Sequence, residues 1–107
     1  MKRWYIAGKM TGLPELNFPA FHAAAAQLRA AGFDIVNPAE INTDPAAEWA
    51  ACMRADIREL MTCHGIVILP GWETSRGAKL EREIALQVGM PVIPLAEFIR
   101  EFCGVAA

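Results

Sequence analysis

The sequence predicts a doubly wound α/β fold, Rossmann-like or flavodoxin-like, with a parallel sheet of about four to five strands flanked by helices. Two observations carry this expectation. Apolar runs of strand length alternate with segments of helical period along the whole chain. The stretch GIVILPGWETSRGAKLEREIALQVGMPVI, residues 65–93, reads as strand, helix and strand within about thirty residues, which is a βαβ unit with parallel strands.

Taken in order, residues 2–7 (KRWYIA) form a first strand rich in aromatic and β-branched residues. Gly8, Gly12, Pro14 and Pro19 break the chain into a long loop over residues 8–19, and loops of that length inside a small domain are commonly functional. A helix follows over about 19–31, with Phe21, Ala24, Ala25 and Leu28 at helical spacing and Gly32 as its stop. Residues 33–36 (FDIV) make a short second strand, and 37–45 (NPAEINTDP) read as loop. Asp44 is placed to cap, and Pro45 to open, a helix reaching about Thr62.

The third strand, residues 65–69, is a continuous apolar run bounded by Gly and Pro, as suits a strand covered on both faces. After a loop at 70–74, Ser75 caps a helix over 75–88, which Gly89 and Pro91 end. Residues 91–94 form a fourth strand, and 95–103 a short amphipathic helix before the apolar tail 104–107. With no repeat, low-complexity tract or linker, residues 1–107 read as one domain.

Composition narrows the function. Hydrophobic residues make up 54% and charged residues 21%, so the chain has ample material for a core. A net charge of −2 lacks the basic face that a nucleic-acid polymer requires. Cys52, Cys63 and Cys103 show no metal or redox spacing, and the adjacent Cys63 and His64 are not a chelating pair, so no metal is expected. No signal peptide and no membrane-spanning stretch is legible, which reads as cytoplasmic. The apolar share in so small a chain suggests a homo-oligomer, by default a dimer.

Two acids stand out. Helical residues advance by about 100°, so with Leu80 at zero, Glu81 falls at about 100°, between Val88 at about 80° and Ala85 at about 140°. With Trp49 at zero, Asp56 falls at about 340°, between Cys52 and Leu60. Both carboxylates therefore lie inside apolar arcs, where an acid is costly unless paired or at work. Right-handed crossovers bring the loops after Ala7 and Leu69 to one edge of the sheet, where open α/β folds bind ligands. Two inward acids near that crevice suggest acid–base or nucleophilic work, against the plainer reading that each caps a backbone group or pairs with a buried Arg. Tyr5 could aim at core or crevice, and its hydroxyl needs a partner if buried. The turn at 75–78 opens a helix whose free N–H groups suit an anion, and Trp72 could stack on a ring. His22 and His64 show no evident partner. The dinucleotide fingerprint GxGxxG, the phosphate loop GxxxxGK[ST] and the GxSxG elbow are all absent.

The segments YIAG at 5–8, the Asp56 helix leading into GIVILP, and SRGAxxExxxAxxxGxPV at 75–92 together resemble the nucleoside 2-deoxyribosyltransferase-like family. That family includes 2'-deoxynucleoside 5'-monophosphate N-glycosidases, and the chain is most similar to its small, often phage-associated branch. The resemblance implies Glu81 as nucleophile, Tyr5 as the group that orients it and keeps it ionised, and Asp56 as the contact to the sugar. It further implies substrate contacts from Gly8, Lys9, Met10, Trp72, Ser75, Arg76 and Gly77, with a 5'-phosphate resting near Ser75–Gly77 beside Arg76 or Lys9. The implied reaction cleaves or transfers at an N-glycosidic bond and needs no cofactor. Family transferases carry acids where this chain has Ser75 and His64, which motivates an alternative: a nucleotide-binding or accessory protein that retains the pocket without turnover. A subunit or interaction protein is a third possibility.

Overall fold

Four strands form the sheet: β1 (Arg3–Ala7), β2 (Asp34–Val36), β3 (Gly65–Ile68) and β4 (Val92–Pro94). A computed structural model describes residues 2–44 and 46–103 and orders them β2-β1-β3-β4, every pair parallel. Helices α1 (Phe18–Ala30), α2 (Pro38–Ile41), α3 (Trp49–Leu60), α4 (Arg76–Gln87) and α5 (Leu95–Phe102) cover it. The fold is the expected α/β architecture, of Rossmann or flavodoxin type.

Side-chain alternation along β1 divides the core in two. Trp4 and Ile6 pack with Phe21, Ala25 and Leu28 of α1 and Phe98 of α5 on one face. Tyr5 and Ala7 turn to the other face, against Leu60 of α3 and Ala85 of α4. The central pair is in register Tyr5↔Ile66 and Ala7↔Ile68, and both strands lose almost all contact with water. Continuous apolar runs are what such doubly covered strands require.

Gly65 is fixed by space. A Cβ there would lie 2.6 Å from both the Pro91 carbonyl oxygen and Trp4 Cζ3. Gly65→Ala is expected to destabilise by about 1–3 kcal/mol through overpacking. Urea denaturation checks this, and an unchanged midpoint would contradict it.

Three expectations need correction. Residues 37–45 are not all loop: Asn37 accepts a hydrogen bond from the Ala39 N–H at 3.0 Å and Pro38 opens the short helix α2. The next helix begins at Trp49, because the Asp44 carboxylate takes the Ala46 N–H at 2.9 Å and caps a turn ahead of it. Pro45, expected to open that helix, lies outside the described residues, as does the tail 104–107. On α4 the buried face is Ala78, Glu81 and Ala85, while Leu80 and Val88 are 38% and 58% exposed. Glu81 thus sits at the centre of the inward face, which two small alanines bring close to the sheet. Among the described residues no helix is long and apolar enough to cross a membrane.

Candidate active site

At the carboxyl ends of β1 and β3 the loops part around a cavity of about 570 Å³, within the range of small-molecule sites. Tyr5 lies behind the cavity wall, bonded to the lining residue Glu81. Strand alternation points Tyr5 at α3 and α4, and its fully buried hydroxyl donates to Glu81 Oε2. Glu81 is 4% exposed and Asp56 6% exposed, yet both line the same cavity from different helices. The predicted trio of Tyr5, Asp56 and Glu81 is therefore brought together.

Burial dominates the charges. It pushes the Glu81 carboxyl up to about 8; the Tyr5 hydrogen bond pulls the other way, and the Asp56 charge adds to the rise. The Tyr5 bond favours an ionised Glu81, as expected, but in the free protein desolvation works against it more strongly. Asp56 rises by burial to about 6, opposed by hydrogen bonds from Asn42 and Tyr5. The Tyr5 phenol goes well above its usual value through burial first, then the two carboxylates. At neutral pH the site holds one carboxylate, one carboxylic acid and a neutral phenol.

The rim carries the cations. Ser75 caps α4 by accepting the Ala78 N–H at 3.1 Å, which leaves the Arg76 and Gly77 N–H groups facing the cavity end of the helix. A Cβ at Gly77 would meet Met53 Sδ at 3.2 Å, so glycine lets α3 and α4 close that wall. The Arg76 guanidinium lies 3.7 Å from the Trp49 ring centroid, and Lys9 Nζ donates to Thr74 Oγ1 at 3.0 Å. Gly8 and Met10 line the cavity beside Lys9. Glu15, Leu16 and Asn17 run through three successive left-handed conformations, φ 53°, 54° and 59°, and Leu16 lines the cavity. Asn17 Nδ2 ties this turn to the Lys9 carbonyl at 3.0 Å.

Trp72 is not at the cavity. It packs against the Tyr5 side of the core with the Arg82 guanidinium 4.7 Å from its ring, and Trp49 supplies the aromatic wall in its place. Asn42 was not legible in the sequence, although its Nδ2 donates to Asp56 Oδ1 at 2.6 Å. Leu16, Phe18 and Met53 complete an apolar side that spacing alone does not announce. The histidines do find partners: His22 Nδ1 lies 3.2 Å from Asn37 Nδ2, and His64 meets Trp4 edge to face. Cys63 bonds the Glu59 carbonyl. Among the described residues no three His, Cys, Asp or Glu side chains cluster so as to hold a metal ion.

Among curated proteins none matches the chain. The family model described as a domain of unknown function (DUF4406) matches residues 2–94, a span that holds all four strands and Tyr5, Asp56 and Glu81. The chain belongs to the DUF4406 family.

Proposed function

We propose that the cavity binds a 2'-deoxynucleoside or its 5'-monophosphate and cleaves or transfers at the N-glycosidic bond, in the manner of the deoxyribosyltransferase-like family. The observation that supports it most is the pair of buried acids, Glu81 and Asp56, opening from two helices onto one cavity with the Tyr5 hydroxyl bonded to one and close to the other. When the Tyr5 hydroxyl turns from Glu81 to Asp56, it hands its own proton to Asp56 and takes the Glu81 proton in its place. The freed Glu81 carboxylate attacks C1', the C1'–N bond breaks, and its electrons leave with the base, which takes the proton from Asp56. Water then hydrolyses the glycosyl ester and returns a protonated Glu81, or a second base accepts the sugar. The rising positive charge on the sugar favours an ionised Glu81 in the transition state more than in the free protein. A 5'-phosphate fits the N–H groups at the start of α4, with Arg76 and Lys9 on the same rim.

The same reading makes the protein cytoplasmic and a homodimer or higher homo-oligomer, with Leu80 and Val88 offering exposed apolar area. A second reading, a nucleotide-binding protein without turnover, is favoured by one observation: Glu81 is neutral near pH 7 and already bonded to Tyr5.

Incubation with a panel of 2'-deoxynucleosides and their monophosphates, followed by chromatography for free base, tests both readings. Base release from at least one compound is the expected result. Nucleotide-dependent thermal stabilisation without release would support the binding protein, and neither response would end both proposals.

A further inference from the structure

The Tyr5 hydroxyl faces both buried acids, but Asp56 has a second neutral donor, which comes from a different part of the fold. Glu81 receives the Tyr5 hydroxyl from the central strand. Asp56 receives the Asn42 amide, which the short helix α2 delivers from 14 positions earlier in the chain. The residue sits directly after α2, where its backbone leaves the helical region at φ −102° and ψ 74°. An amide N–H2 has no proton to lose at any ordinary pH, so this donor stays on whatever the pH. It bonds an ionised carboxylate more strongly than a neutral one.

Two acids facing one cavity do not both ionise cheaply. We propose that Asn42 is a positioning residue that orients the Asp56 carboxylate and places the pair's single negative charge on Asp56, leaving the proton on Glu81. The groups around Asp56 leave this role to Asn42. From β1 it faces the neutral Tyr5 hydroxyl, which lowers both acids and so does not favour one over the other, and from α4 the Glu81 carboxyl. Cys52 of its own helix is pushed toward the thiol form by burial, then by Asp56 and Asp44. The cations of the cavity are engaged elsewhere, Arg76 over Trp49 and Lys9 on Thr74. What that placement does for turnover rests on the deoxyribosyl reading above: it sets Glu81 as the proton source and Asp56 as the acceptor before substrate arrives.

The experiment needs no substrate. Carboxyl carbons of labelled Asp and Glu are followed by NMR across pH in the wild type, Asn42→Leu and Asn42→Ala. Leucine keeps the approximate volume of the amide and alanine leaves room, so a folding defect in one variant leaves the other to decide. In the wild type the lower step is expected on Asp56, which burial raises to about 6. In the variants that step is expected to move up by about one pH unit, a tenfold weaker acid, and part of its amplitude to appear at Glu81. Loss of packing alone would not relocate the charge from one carboxyl to the other. An Asp56 step that keeps its midpoint and amplitude in a folded variant would overturn the inference. A shift of the charge in a protein that releases no base would sustain it while the deoxyribosyl reading falls.

Discussion

Glu81→Gln is expected to release no measurable base, at least about 10⁴-fold below the wild type, and yet to be the more stable protein at alkaline pH. The sign follows from the raised acids. Glu81 titrates at about 8 in the native chain, against an ordinary value of 4.5. Between those two values the native state holds a proton that the unfolded chain has lost. Stability is therefore full below pH 4.5 and falls as pH rises through the native value, by about 1.4 kcal/mol per pH unit for one proton. Asp56 adds a lower window, from 3.8 to about 6. Glutamine keeps an acceptor for the Tyr5 hydroxyl and has no charge to bury. At pH 9 the variant should gain on the order of 5 kcal/mol, and at pH 4 nearly nothing. Denaturant titrations at the two pH values, run beside the base-release assay, check both halves. A variant with the wild-type rate would remove Glu81 as nucleophile, and equal stability at pH 9 would remove its buried charge.

Tyr5→Phe should move alkaline stability the opposite way and base release the same way. The ring remains to fill the core, but the only hydrogen bond found for the Glu81 side chain among the described residues is lost. An ionised carboxylate left unpaired in a buried site costs about 1–3 kcal/mol more, so the loss should be larger at pH 9 than at pH 4. With the proton path through the hydroxyl gone, base release should fall by about 10²-fold. Rates measured from pH 5 to 9 would show the loss. A profile that overlays the wild type would leave the hydroxyl with a packing role alone.

Much of this site was legible because regular elements have a period. Glu81 and Asp56 were found by counting around a helix, and the βαβ stretch at 65–93 announced its own parallel pairing. What was not legible depends on neighbours that no period encodes. Asn42 reaches Asp56 only because a four-residue helix folds the chain back on itself, and Asn37 and Pro38 are its only local signals. The sequence points to Trp72 as the stacking ring and gives Trp49 no such role; in the fold Arg82 covers the first, while the second lines the cavity with Arg76 stacked on it. The inward arc of α4 was misplaced because leucine and valine were given more weight than alanine, whereas close approach to the sheet selects the small side chain. The balance between burial and the Tyr5 bond is a matter of distance and solvent, which a sequence does not carry.

The hydroxyl that bonds Glu81 hangs from the innermost strand, laced to neighbours on both edges, whereas the mouth is built from segments outside the ladder. Amide exchange at Tyr5 and Ile66 should thus report only whole-molecule opening, while residues 11–17 exchange through local fluctuation. Substitutions can accumulate at the cavity entrance, while the bond between Tyr5 and Glu81 is held by the fold's own survival.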